Sequence, residues 1–488
     1  MRSDCVDNHS YRAWLILFCL LQQVAPAQNI PPYQSDFPPA EFKLRWEKLF
    51  DKIGSAAIAL VQGAPPAEGF ARFRQSNEFY YLCGVETPGA YIVLDGRSRK
   101  VSLYFPHRDE EREAGEGKLL SAEDGELVKK YTGVDRVAGV EKLARDWMWT
   151  LYWTATPPTL YTPFSPAEGY GKTRDQLEGY KADIAADIWD GRPSREGQFL
   201  QLLRSRFPEF SIRNLSPILD TLRNIKSPLE VKFLRTAARY AARGLTAAMQ
   251  STRAGVVEYQ LGAVAEYLFM INGAQGSAYN PIVAGGRNAM MGHYGVNHSV
   301  LSDGDLVLMD FAPDYHYYAS DVTRMWPVNG TFSAAQRQLC TFILQVRDNI
   351  LKRIRPGRTA DQILDEAAGE LRTFVDKTPW LKPIYRDAAL ATLERRNEFS
   401  HPVGMAVHDV GNYRARPLEV GVVFSLDPGI VVPEEQLLIR IEDVLVVTSD
   451  GVENLSREVP AEPEKIEALM KEKGMLQQFP AEPLEMQK

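Results

Sequence analysis

Cysteine is scarce in this chain, with 4 in 488 residues. Cys5 and Cys19 fall in a leader-like N-terminus, which leaves Cys83 and Cys340. Two cysteines do not build a disulfide framework, so a small cystine-stapled fold is excluded. Both are expected as small core residues rather than reactive thiols. A basic block is also missing, and the formal net charge is -7. Electrostatics therefore gives no reason to expect nucleic acid or an anionic membrane as a partner. Low-complexity tracts are absent, and the apolar run Ala13 to Leu21 is too short to span a bilayer. What is present is ordinary for a globular protein, 45% hydrophobic and 24% charged. The length suits two or three domains.

Arg2 and Arg12 precede that apolar run, and Ala25-Pro26-Ala27 supplies a small-x-small site. The order is that of a secretory signal peptide spanning residues 1–27, with a buried N-terminal helix or a retained anchor as the alternatives. Cys19 lies inside the run, which disfavours a lipoprotein. Export with few disulfides suits a periplasmic or extracellular protein.

Residues 28–215 begin with a Pro-rich lead-in and then mix strand and helix patterns. Strands are expected at Ala56–Val61, Phe79–Val85, Ala90–Leu94 and Val101–Phe105, and helices around Gly125–Tyr131 and Pro193–Ser205. This reads as an α/β domain without a compact group of ligands. The charged run Arg108 to Glu113, after His107, reads as a solvated loop. A boundary falls near Ser216 to Ser227. Ser227-Pro228-Leu229-Glu230 has capping-box form, with apolar residues at helical spacing after it, so a helix should run from there to before Gly255. Ser333 and Thr359 open two further helices, and Pro379 to Arg396 reads as a weaker, solvated stretch. Residues 216–488 thus have an α+β pattern.

The chemistry-bearing residues lie in this second half. Asp310 ends the apolar run Leu306-Val307-Leu308-Met309, and Asp321 sits in an extended segment after Tyr315, Tyr317 and Tyr318. A buried carboxylate is costly unless it is paired or holds a metal. The alternative for either residue taken alone is a surface hairpin. Asp427 also ends an apolar strand, Val422 to Leu426. Glu442 lies among aliphatic residues, where an ion pair with Arg440 is the other reading. His401 and His408 stand seven residues apart, and each taken singly is more often a hydrogen-bonded core histidine than a ligand, whereas two buried carboxylates beside a neutral imidazole favour ligation. Four carboxylates and one imidazole suit harder divalent ions such as Mn²⁺ more than structural Zn²⁺. They also exceed the charge that one divalent ion would neutralise. Two ions restore the balance and can hold a shared hydroxide as nucleophile.

Asp310 and Asp321 at D-x10-D, then His401, DPG at Asp427 and RIED at Glu442 resemble the metal set of the M24 metallopeptidases. The likeness extends through AYNPIVAGGRNAMMGHY, DGDLVLMDFAP and SDVTRMWPVNG. FYYLCGVETPGAYIVL is similar to the creatinase/aminopeptidase P-type N-terminal domain, closest to the Xaa-Pro aminopeptidases. The resemblance implies an α/β N-terminal domain plus an α+β pita-bread catalytic domain. It implies Asp310, Asp321, His401, Asp427 and Glu442 as ligands of two divalent ions, Mn²⁺ first, with Co²⁺, Zn²⁺ and Fe²⁺ as alternatives. His293 and His408 would act on the substrate side, Glu442 would share in proton transfer, and Arg440 would orient acidic ligands from behind. The implied substrates are peptides with proline in second place, and the implied assembly is a homo-oligomer, dimer or tetramer. His298 and His316 match nothing and are expected at the surface.

Three positions depart from the family pattern. Asp427 stands where glutamate is usual, Asn397 where another histidine is common, and Val431 where tyrosine is frequent. The rival readings are a prolidase restricted to dipeptides, a non-catalytic peptide-binding protein with a crippled site, and an unrelated small-amide or ester hydrolase.

Overall fold

The computed structural model describes residues 36–153, 157–480 and 482. The expected signal peptide and its cleavage point lie outside the described residues, as does most of the Pro-rich lead-in. The first half is built on a six-stranded sheet: β1 (Ala57–Gln62), β2 (Tyr91–Asp95), β3 (Lys100–Phe105), β4 (Arg136–Gly139), β5 (Thr159–Thr162) and β6 (Ser211–Asn214). Their order is β4-β3-β2-β1-β5-β6. The β1–β2 and β2–β3 pairs are antiparallel, while β3–β4, β1–β5 and β5–β6 are parallel.

Two expectations fail here. Phe79–Val85 does not form a strand: Asn77–Cys83 is a helix whose every residue is buried, closed by Gly84 in the left-handed region at φ 66°. A short, wholly apolar run carries no periodicity to separate a buried helix from a buried strand, and the glycine stop decides it. The charged run after His107 is not a loop either. Glu110–Glu116 is an exposed helix capped by the Asp109 carboxylate, with three acidic residues in its first turn.

The second half carries β7 (Gly276–Ser277), β8 (Ile282–Gly285), β9 (Leu306–Asp310), β10 (Pro313–Tyr315), β11 (Tyr318–Ala319), β12 (Thr323–Pro327), β13 (Phe399–Pro402), β14 (Val423–Leu426), β15 (Gly429–Val432), β16 (Leu437–Arg440), β17 (Asp443–Val447) and β18 (Val452–Asn454). They form the sheets β12-β9-β8, β13-β14-β17-β18, β11-β10-β7 and the β15-β16 hairpin. The sheets are backed by long helices, among them Pro228–Ser251, Ala334–Leu351 and Ala360–Lys377. Each of these three begins in a capping box, with Ser227, Ser333 and Thr359 accepting from backbone N–H groups three residues on. The stretch read as solvated contains the helix Pro383–Arg395, which buries Tyr385, Ala389 and Leu393. His316, expected at the surface, instead lies at the domain junction, its Nδ1 2.7 Å from Asp36 and its ring stacked on Phe233. His298 is exposed.

The two halves share a core. Phe42, Phe79 and Leu82 of the first pack in one cluster with Leu234, Tyr317, Tyr318, Met405 and Val444 of the second. The site described next lies on the second half at the edge of this junction.

Candidate metal centre

Strand register sets the geometry. Asp310 closes β9, where it faces Thr323 of β12 and Ile282 of β8. Asp321 is not on a strand; it sits two residues before β12. Asp427 follows the last residue of β14, and Glu442 lies between β16 and β17. A bridge between Thr323 and Glu442 stitches the two sheets together at this point. His401 comes from β13, whose Phe399 pairs with Leu426.

These elements bring Asp321, His401 and Glu442 into one nest, with a ligand atom of each lying within 4.8 Å of the others. His401 Nε2 is 3.2 Å from Asp321 Oδ2 and 3.9 Å from Glu442 Oε1. Asp310 and Asp427 join through two connectors. Arg440 places Nε 2.6 Å from Asp427 Oδ1, Nη2 2.6 Å from Glu442 Oε2 and Nη1 3.4 Å from Asp310 Oδ2. Tyr279 places its hydroxyl 2.6 Å from Asp310 Oδ1 and 2.8 Å from Asp321 Oδ1. Thr323 and Ser425 donate hydroxyl hydrogen bonds to the two oxygens of Glu442. The sequence alone does not single out Tyr279, Thr323 or Ser425. Tyr279 and Thr323 lie inside the AYNPIV and SDVTRMW stretches, but their residue types give no sign of where the hydroxyl points.

Asp310, Asp321 and Glu442 are buried. Four carboxylates here face one guanidinium, an excess of three negative charges when all are ionised. Burial first, and then the charge of Glu442, push Asp310 up and Asp321 well up from the ordinary carboxylate value. Asp427 rises to about 7 for the same reasons. Burial opposes the ionisation of Glu442 too, but Arg440, His401 and the two hydroxyls outweigh it and hold it low. The Tyr279 hydroxyl carries one proton and touches two carboxylates. One of those contacts therefore needs a second proton or a cation. An oxygen-rich donor set with excess buried negative charge fits divalent metal ions.

His293 and His408, expected on the substrate side, cluster beside this nest. The His408 ring lies 3.9 Å from that of His401 and 6.2 Å from that of His293, centroid to centroid. His293 is exposed and His408 partly so.

Residues 232–449 match the model of metallopeptidase family M24, and residues 42–151 that of the aminopeptidase P N-terminal domain. The chain is 31% identical over 458 residues to the Xaa-Pro aminopeptidase of Escherichia coli, covering 89% of this chain and 98% of that one. It is 29% identical over 415 residues to human Xaa-Pro aminopeptidase 3, covering 81% and 76%. Among solved structures, E. coli aminopeptidase P with the inhibitor Pro-Leu superposes with a TM-score of 0.70 at 30% identity, over 89% of this chain and 98% of that one. Proline aminopeptidase P II from Yersinia pestis gives 0.70 at 29%, over 89% and 100%. The two-domain architecture, an aminopeptidase P-type N-terminal domain followed by a pita-bread domain, is thereby shared with enzymes of known fold. With the buried acidic nest at its centre, the chain belongs to the M24 metallopeptidases, as a metallo-aminopeptidase of the aminopeptidase P kind.

Proposed function

We propose that the protein is a dinuclear Xaa-Pro aminopeptidase that releases the N-terminal residue from peptides with proline in second place. The observation that carries this reading is the convergence of four carboxylates, one imidazole and one guanidinium at the junction of two sheets. Likeness over nearly the whole length of a bacterial Xaa-Pro aminopeptidase supports it. Asp310, Asp321, His401, Asp427 and Glu442 would hold two ions, of which Mn²⁺ best suits the donor set. When bound, such ions supply an activated water and polarise the scissile carbonyl.

The chain's own residues do the rest. Arg440 holds Asp427, Glu442 and Asp310 in place and offsets part of their mutual repulsion. Ser425 and Thr323 fix both oxygens of Glu442, so its carboxylate presents one orientation to the reacting atoms. His293 and His408 flank the cleft where a substrate carbonyl would lie, and supply hydrogen bonds to its developing negative charge. Glu442 relays the proton to the leaving imino nitrogen. The shorter Asp427 reaches the site through Arg440, which takes up one of its oxygens. We also infer export through the N-terminal leader, and a homo-oligomer.

The test is direct. Protein loaded with Mn²⁺ is assayed against Gly-Pro dipeptides, longer Xaa-Pro peptides and non-proline controls, and its metal content is measured. Two ions per chain and cleavage of the longer Xaa-Pro peptides are expected. Turnover of dipeptides only would favour the prolidase reading, which the 27% identity to human Xaa-Pro dipeptidase keeps in view. Inertness with no bound transition metal would overturn the proposal.

A further inference from the structure

We propose that Asp175 is a positioning residue for His408, bringing a side chain of the first half of the molecule into the reaction. His408 Nδ1 lies 2.7 Å from Asp175 Oδ2, a contact across 233 positions of sequence. Asp175 lies between the two family-matched stretches, which end at 151 and begin again at 232. It stands in the first turn of the helix Arg174–Ala186.

The carboxylate is tied at one oxygen, and the backbone beneath it is anchored. Its other oxygen, Oδ1, accepts from the hydroxyl of buried Thr173. The neighbouring Arg174 is clamped to Glu78 and lies 3.4 Å from Asp220. The segment leading into the helix is seated on the catalytic half: Gly171, Lys172 and Thr173 share a crevice with Ala406 and Val407, the residues just before His408. A carboxylate with one oxygen committed and its backbone anchored presents the other oxygen in a fixed direction. Accepting from Nδ1–H selects one tautomer of His408 and leaves Nε2 as the ring nitrogen available to the substrate. The inference rests on the reading that His408 acts on bound peptide.

The pair is open to solvent, with the Asp175 side chain 56% exposed. An exposed pair adds little stability, so Asp175→Asn and Asp175→Ala should fold and melt like the parent, which makes the kinetic test clean. On a cleaved Xaa-Pro peptide, both are expected to lower kcat by about 10- to 100-fold with KM little changed. In a His408→Ala background the same substitutions should have no further effect. The second readout needs neither metal nor substrate. The ¹⁵N shifts of the His408 imidazole should report Nδ1–H in the parent and lose that preference in Asp175→Ala. Independent, multiplying effects of Asp175→Ala and His408→Ala, or unchanged imidazole shifts, would overturn the proposal. Should the parent cleave no Xaa-Pro peptide, the functional reading falls, and the imidazole shifts still decide whether Asp175 sets the tautomer.

Discussion

Tyr279 shows how one hydroxyl can matter more than its hydrogen-bond count. It serves Asp310 and Asp321 together, two buried acids that would otherwise face each other with Arg440 and His401 as their neighbouring bases. Tyr279→Phe should cost the metal-free protein about 1–3 kcal/mol. A bound cation takes over the neutralisation, so the loss should shrink when metal is saturating. Melting in chelator and again in excess Mn²⁺ measures the difference, and an equal loss in both would contradict the argument. Glu86 offers a second test at this scale. Burial pushes its carboxyl up to about 7, against the hydrogen bond from Tyr317 and the charge of Arg74. The folded chain keeps this proton up to about 7, whereas the unfolded chain releases it near 4.5. Within that window the native state binds more protons, so stability falls as pH rises, by about 3 kcal/mol at about 1.4 kcal/mol per unit. Glu86→Gln cannot titrate, and urea unfolding at pH 5 and at pH 7.5 should show the variant lacking this part of the decline.

The helix Asn77–Cys83 depends on how it stops. Gly84 is at φ 66°, and a Cβ there would sit 2.7 Å from the Phe42 ring, which is buried. Gly54 ends the helix Pro39–Ile53 at φ 82° but has open space around it. Gly54→Ala should cost about 1–3 kcal/mol, the penalty of a backbone at φ 82° and ψ 174° alone. Gly84→Ala should cost about 1–2 kcal/mol for its αL conformation and a further 1–3 kcal/mol or so for displacing a packed ring. Denaturant midpoints measure each loss, and a Gly84→Ala loss of only about 1–2 kcal/mol would mean that Phe42 moves freely. The same element marks the limit of what a sequence displays. Asp310 and Asp427 are legible as site candidates because each ends a run of buried aliphatic or aromatic positions, where an acid is out of place. Ser227, Ser333 and Thr359 are legible because a cap is a local signal. Asn77–Cys83 is not, since its apolar run Phe79–Cys83, shorter than two turns, fits either period. Asp175 and Tyr279 are hidden for another reason: their roles arise only when distant segments meet, and nothing beside them in the chain announces the partner.

At the scale of the whole molecule, a buried ionic bridge ties the halves together. Arg223, on the connecting helix Ser216–Asn224, lies 2.6 Å from Glu168 of the first half and 2.5 Å from Asp409 of the second. Lys226 is 3.0 Å from the other oxygen of Asp409. All four side chains are almost fully withdrawn from water. Burial alone would raise the Asp409 carboxyl, yet Arg223 and Lys226 hold it below the usual range. Its contribution is therefore present above the unfolded value and lost as pH falls through the lower folded one. Replacing buried partners together can be neutral, but removing one strands the others. Arg223→Met leaves Glu168 and Asp409 short of positive charge on both sides of the junction, and should cost about 3–5 kcal/mol. The loss falls on the contact between halves that each keep their own packed core. Calorimetry should then show one transition in the parent and two in the variant, the first at lower temperature. His408 directly precedes Asp409, so loosening this bridge also frees the backbone that carries it. Activity should fall before the catalytic half unfolds, and a variant that melts as one unit with full activity would show that the shared apolar core couples the halves without the bridge.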